Sequence, residues 1–354
     1  MSVSLQPRGT VYTRAVIATA LARGNPETAA AIAESTWGPV GAAPILKAEV
    51  SGGATVDGAW GSVLGNSTAA DEFFSLVRQQ SIVGRMAGLR RTPLRVRAIN
   101  VEGGAVAHFV GEGKAAPLAH MSFAARTLEP RKIAALIVIS DELLESSDPA
   151  AESLIRQDLI RATIEAYDTA FIDPANAGVA GEMPASVTNG AVEVASTVDP
   201  VTDLAALIGA FDGDLQNAYL IMHPQTATEV ALWRDTDSSF AFPDLGPRGG
   251  SVLGIPVLCS RSVPRDSSGS TISLIDASGI ALGEGSSQLK TSHAAAIEMT
   301  DTPAGDSVTP TGSQYVSLFQ ANALALLQLT EVNWQAVRAG SVASLTGVDY
   351  GVNG

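Results

Sequence analysis

The sequence predicts an α+β fold, and three observations carry that prediction. Residues Ala150–Ile172 place Leu154, Ile155, Leu159, Ala162, Ile164, Tyr167 and Phe171 at near-helical spacing, with acids between them. Residues Arg91–Ile139 change to the period of two expected of extended chain. Residues Asp199–Leu282 alternate short helical and strand-like runs, as an α/β lobe does.

The long helix opens behind the polar cluster Ser146-Ser147-Asp148-Pro149 and stops at Asp173-Pro174. At 1.5 Å per residue it spans on the order of 30 Å, the length of a structural spine. In the extended region, Leu94, Val96 and Ala98 alternate with Arg95 and Arg97, predicting a strand. Ala105–Val110 and Met121–Leu128 continue the pattern around Gly111-Glu112-Gly113-Lys114-Ala115-Ala116-Pro117. Two long arms about a Gly/Pro tip make a hairpin expected to project from the body. Lys132–Ile139 reads as a buried strand.

Within the α/β lobe, Asp203–Phe211 and Gln225–Trp233 read as helices, and Ala218–Met222, Ile255–Cys259 and Ile272–Ile275 as strands. Thr236–Leu253 is rich in Gly, Pro, Ser and Asp and reads as one long loop, a feature that is usually functional or interfacial. Gln288–Glu298 and Val316–Val332 return to strand patterns. Near the start, Thr10–Ala22 and the Asn25-Pro26-Glu27 restart through Ser35 predict a short helical hairpin. Gly52–Gly65 reads as a linker or extended arm, and Ala69–Gln80 as a further helix.

Composition narrows the function. No apolar run approaches the roughly 18 residues of a membrane span, and Met1–Gly9 leads into no apolar segment of a signal peptide. Synthesis in the cytoplasm is therefore expected. The single cysteine, Cys259, excludes an intrachain disulfide or a thiolate zinc cluster and reads as a small core residue. The four histidines, His108, His120, His223 and His293, lack metal-ligand spacing, so no cofactor or metal is expected. Gly111–Ala115 lacks the Ser or Thr of a phosphate loop, and Gly305-Asp306-Ser307 has no histidine near it in sequence. The expectation is not an enzyme.

A net charge of −14 disfavours tight nucleic-acid binding and suits solubility at high copy number. The charge is also uneven. Arg78–Lys132 holds ten basic residues against Glu102, Glu112 and Glu129, whereas Asp141–Asp173 holds nine acids against Arg156 and Arg161. Adjacent segments of opposite sign suggest an interface within the chain or between copies.

The ordered elements resemble those of the tailed-bacteriophage major capsid proteins with the Hong Kong 97-like fold. The likeness lies in Lys132–Ser140 followed by Asp141-Glu142-Leu143-Leu144, in Leu220-Ile221-Met222-His223-Pro224, and in Trp233-Arg234-Asp235 leading to Phe242. It continues in Val252-Leu253-Gly254-Ile255-Pro256-Val257 and in Val316–Gln320 running through Trp334-Gln335-Ala336, where Trp334 stands at a position often Pro. It covers roughly residues 67–345.

The resemblance implies an N-terminal helical segment and linker (1–66), an N-arm (67–91), an extended hairpin loop (92–132) and a peripheral domain on the spine helix (133–199). An axial domain (200–284), closing strands of the peripheral domain (285–333) and a C-terminal segment (334–354) follow. It implies a homo-oligomer of pentamers and hexamers in the virion capsid, assembled in the host cytoplasm around DNA that is enclosed but not bound sequence-specifically. Portal and scaffolding, protease or decoration proteins are the implied partners, with no membrane.

Expected contacts between copies join the basic hairpin (Arg95, Arg97, Lys114, Arg126, Arg131) to the acidic spine (Glu145, Glu152, Asp158), with Phe242 and Arg248 on the axial loop. Some relatives lock their shells with a Lys–Asn isopeptide bond. Here Ala116 stands at the lysine position, and after Asn322 no acid precedes Glu331, so that lock is expected to be absent. Residues 1–66 resemble a short scaffolding segment, expected to be retained. Encapsulin-type nanocompartments share the fold and form the alternative, with the long hairpin and N-terminal extension favouring the phage role.

Overall fold

The structure is a computed structural model describing residues 14, 17–18, 22, 28–29, 31–38, 76–103, 108–110, 118, 122–140, 142, 149–234, 239–292, 294–300 and 315–351. Its labelled helices are α1 (Ile82–Arg85), α2 (Pro149–Ile172), α3 (Pro200–Ala210) and α4 (Pro224–Leu232). The strands begin with β1 (Arg90–Arg91), β2 (Arg97–Gly103), β3 (Ser122–Thr127), β4 (Arg131–Ser140), β5 (Val192–Ala195) and β6 (Ala218–Met222). Next come β7 (Leu245–Gly246), β8 (Gly249–Val252), β9 (Ile255–Cys259), β10 (Arg265–Asp266) and β11 (Gly269–Asp276). The last are β12 (Ile280–Ser292), β13 (Ala296–Glu298), β14 (Tyr315–Ser317), β15 (Ala323–Ala336) and β16 (Val342–Val348). The chain divides into two units. The first comprises Met1–Gln79, Ile133–Ile164 and Ser286–Thr330, and the second Gln80–Lys132, Glu165–Gly285 and Glu331–Gly354.

The second unit is built on a sheet of order β5-β16-β11-β6-β9-β8-β7, with β10 beside β11. Its centre is β11, antiparallel to both β16 and β6. Alternation along β11 sends Ile272 and Leu274 to one face, where they pack with Leu204 and Leu207 of α3, Ala227 and Val230 of α4, and Ala343 and Leu345 of β16. Ser273 turns to the other face, where its hydroxyl meets that of Ser344 at 3.3 Å. Ile221 and Ile275 are also fully buried, so both faces of the sheet centre are covered.

The two covering helices begin at side-chain caps. Asp199 accepts from the amides of Val201 and Thr202, with Pro200 in the first turn. His223 does the same for α4, its Nδ1 accepting from the Gln225 amide at 3.2 Å. His223, just past the end of β6, thus acts as a helix cap. Burial and the Arg265 and Arg261 guanidiniums hold its pKa below the usual value, which keeps Nδ1 free to accept.

The same unit carries the β2–β3 ribbon, paired from Arg97↔Thr127 to Gly103↔Ser122 with an irregularity after Val101. β1 runs parallel to the start of β12 (Arg90↔Ala281). In the first unit, Leu318, Ala323 and Ala325 form a small core with Val138, Ala295 and Ile297. Ala18, Ala22, Ala29 and Ala33 pack with Ile32 and Trp37 where the helical hairpin was expected, and residues 31–38 are helical. A sheet of order β1-β12-β15-β4 contains the longer strands.

Several details differ from the sequence expectation: β4, expected to be buried, exposes Lys132, Ala134 and Leu136 along one face, and His108–Val110, expected in a strand arm, lie beyond the end of β2. The strand expected over Leu94–Ala98 starts only at Arg97, because Arg95 has φ +63° and its amide donates to the Leu128 carbonyl at 2.9 Å. The loop expected over Thr236–Leu253 contains the β7–β8 hairpin. That turn requires glycine, since Gly250 has φ +146° and a Cβ there would lie 2.0 Å from the Asp244 carbonyl oxygen. The single strand expected over Val316–Val332 is broken between β14 and β15, where Asn322 takes φ +47°. Finally, the expected C-terminal segment contains β16, an interior strand of the large sheet.

Candidate assembly surfaces

The described residues hold no group of three or more His, Cys, Asp or Glu side chains able to bind a metal. A cleft of about 540 Å³ in the second unit is lined by the base of the hairpin (Thr127–Glu129, Arg131), the 177–187 loop and Asn333–Ala336. Its lining includes Glu129 and Arg131. No described helix is long and apolar enough to cross a membrane.

The expected contact residues divide by location. Arg95 is exposed on the turn before β2, and its guanidinium pairs with Glu331 at 3.3 Å. Glu331 is the acid noted in the sequence beyond Asn322, and in this fold it serves an ion pair within the chain. Arg131 is half-buried at the start of β4, beside the cleft. Asp158 is exposed on α2 and Arg248 on the β7–β8 turn, whereas Phe242 is half-buried against the lobe core. Arg97, Arg126 and Glu152 are placed by their backbones alone, on β2, β3 and α2. Lys114 and Glu145 lie outside the described residues.

A set of exposed apolar residues lies beside these charges, unmarked by the charge pattern. Phe109, Val110 and Leu118, between the β2 and β3 arms, are exposed, Leu118 by 81%. Between α4 and β9, Phe240 is half-exposed with the Arg234 guanidinium 4.6 Å from its ring centre, and Leu253 is 77% exposed at φ +52°. The available signal was large apolar residues beside Gly- and Pro-rich turns. Exposed aromatic and aliphatic side chains gathered on loops favour contact with another protein surface.

Two of the three buried carboxylates among the described residues of the second unit, Asp203 and Asp168, depart in opposite directions from an ordinary acid, and the sequence did not mark them. Asp203 on α3 accepts from Ser196 Oγ (2.5 Å), the Thr197 amide (2.7 Å), Thr197 Oγ (2.6 Å) and Tyr350 Oη (2.9 Å). Burial acts to raise its pKa, but these donors outweigh it and hold the carboxyl below the usual range. The same contact and burial push the Tyr350 phenol upward. Asp168 on α2 accepts the Ile82 amide with both oxygens (2.9 and 3.1 Å) and the Ser260 hydroxyl at 3.3 Å. There burial wins, pushing the carboxyl up to about 7, with the Ile82 and Ser260 bonds and the Arg85 charge opposing it. Burial also pushes the half-buried Cys259 thiol upward, which keeps it protonated and inert.

Comparison with known proteins places this geometry. Residues 61–306 match the phage capsid family. The capsid polyprotein of Pseudomonas phage PAJU2 is 36% identical over 322 residues, covering 87% of this chain and 48% of that protein. The major capsid protein of Klebsiella oxytoca phage phiKO2 is 24% identical over 276 residues, covering 73% of this chain and 61% of its own length. The chain therefore spans about half to three fifths of these curated relatives.

Among solved structures, a chain of Gordonia phage Cozz superposes with a TM-score of 0.53 at 17% identity, over 77% of this chain and 86% of that one. A chain of Mycobacterium phage Ogopogo gives 0.52 at 18% identity, over 75% and 92%. With a matched family model over most of its length and a capsid relative above 30% identity, this chain belongs to the phage capsid family and has the Hong Kong 97-like fold.

Proposed function

We propose that the chain is the major capsid protein of a tailed bacteriophage, a shell subunit that works by self-assembly and catalyses nothing. It assembles in the host cytoplasm as pentamers and hexamers of an icosahedral shell around double-stranded DNA, without covalent crosslinks. The observation that carries this is the 36% identity to a phage capsid polyprotein across 87% of the chain. The named relatives are phage capsid proteins, which favours a DNA container over a nanocompartment around a cargo enzyme. The acidic balance agrees, since a container that must release its contents gains nothing from gripping phosphates. Portal, scaffolding, protease and decoration proteins would be its partners in the virion.

In this reading the basic hairpin rests on the acidic surface of a neighbouring copy. Its exposed apolar residues supply the buried area, and its charges steer the approach. Exposed ion pairs contribute only about 0–1 kcal/mol each and are screened by salt, so they register the contact more than they strengthen it. Electron microscopy of the purified full-length chain tests the reading. Icosahedral particles are expected, and a chain that stays monomeric over a range of salt and concentration would overturn it. Reversing Arg95, Arg97 and Arg126 to Glu should slow assembly and invert its salt response; unchanged assembly and salt response would remove the electrostatic part.

A further inference from the structure

Asp168 is a fully buried carboxylate where three segments of the second unit meet. It sits on α2, the Ile82 amide that it accepts opens α1, and Ser260 follows the end of β9. Further bonds strap the α1 segment to the same body. Arg85 Nη1 donates to the Cys259 carbonyl at 3.2 Å, and the Ala87 amide donates to Tyr219 Oη at 3.0 Å. The bond ties the first residue of α1 to the C-terminal half of α2, both within the second unit. Hydrogen bonding at such a junction decides how freely the α1 segment moves.

We propose that Asp168 is a proton-operated latch, closed when its carboxyl is protonated and loosened when it ionises, that sets the opening of the Ser81–Arg85 segment from the body of the second unit. In the protonated state, Oδ2–H donates to Ser260 Oγ while Oδ1 accepts from the Ile82 amide, so both carboxyl oxygens are paired and no carboxylate charge is buried. Ionisation leaves a buried negative charge. The Ile82 amide, the Ser260 hydroxyl and the Arg85 guanidinium only partly offset its lost hydration, and opening the segment returns the carboxylate to water. Other ionisable groups on the packed elements are Cys259, whose thiol stays neutral, and Arg261, which is exposed. On α2 itself Glu165 is exposed. The latch is a property of the folded chain and does not depend on shell assembly.

The sign follows from linkage. The carboxyl sits at about 7 in the closed segment and near its ordinary 3.8 when hydrated, so closure binds a proton between those values. The latch is tightest in acid, weakens as pH rises from about 4 to 7, and levels off above. Residue-resolved hydrogen exchange on the full chain reads this directly. After correction for intrinsic exchange, protection of the Ile82 amide should fall roughly fifty-fold between pH 5 and 7 and then stay flat. In Asp168→Asn, which keeps an acceptor for Ile82 but cannot ionise, it should stay constant. Constant protection in the wild type, or the same fall in the variant, overturns the proposal. Should Asp168→Asn fail to fold, Arg85→Gln provides the check. Loss of the guanidinium should carry the levelling-off to higher pH, and an unmoved profile overturns the latch. A carbon-13 titration of the wild-type Asp168 carboxyl with its midpoint near 4 does so as well.

Discussion

Replacing Asp203 by Ala removes the acceptor of four hydrogen bonds that join α3, the Ser196-Thr197 turn and Tyr350 after β16. The Ser196 and Thr197 hydroxyls lie on partly exposed residues and can turn to water. The Tyr350 hydroxyl, on a side chain 2% exposed, has no such freedom. A buried donor left unsatisfied costs about 1–3 kcal/mol, so the orphaned Tyr350 hydroxyl predicts a loss of about 2 kcal/mol. Urea unfolding of the full chain at fixed concentration measures it, with fluorescence of Trp233, whose ring lies 6.4 Å from that of Tyr350, as the reporter.

The pH dependence adds a second constraint. The Asp203 carboxyl is held below its usual value, so its stabilisation is complete above about 4 and is lost as pH falls through the lower, folded-state value. Asp203→Asn retains one acceptor and no charge, and its deficit against the wild type should shrink as pH drops below 4. A loss under 1 kcal/mol in Asp203→Ala, or a deficit in Asp203→Asn that does not change with acid, would refute the argument.

Further predictions concern the packing of the second unit. Trp334 donates Nε1–H to the Ala185 carbonyl at 2.9 Å and stands edge-on to Tyr167 and Phe171, with ring centres 5.6 and 5.4 Å away. Trp334→Ala should cost about 3–5 kcal/mol in urea unfolding, and Trp334→Phe about 1–2 kcal/mol, because the ring contacts survive while the hydrogen bond is lost. Gly178 has φ +77° and a Cβ there would lie 2.5 Å from the Ala185 amide nitrogen, so Gly178→Ala should lower the melting temperature by several degrees. At Gly209, inside α3, a Cβ meets nothing within 4 Å, and Gly209→Ala should raise it.

Much of this fold was legible in the sequence wherever the decisive interactions are local. The apolar spacing of Leu154 through Phe171 marks α2, and the Asp173-Pro174 pair marks its end to the residue. Leu220–Pro224 contains a strand, a capping histidine and the first helical residue, all within five positions. The opposed charge runs were equally plain, because charge is counted from composition. Which of those charges are exposed was not, and neither was the pairing of Arg95 with Glu331 at a separation of 236 residues.

What the sequence by itself determined was therefore the main helices and central strands, their order and the sign of charge on each, since helix and strand periods and caps act over a few residues. Only the tertiary structure decided the remainder. β16 lies in the sheet interior because β11, about 70 residues earlier, offers it an edge, and nothing in Val342–Val348 alone announces that partner. Arg95 takes a left-handed turn because the Leu128 carbonyl is there to receive its amide. Asp168 and Asp203 read in the sequence as two more acids of a helical face. Their carboxyls depart in opposite directions because one is buried with few donors and the other meets four, and the number of donors within reach is set by packing.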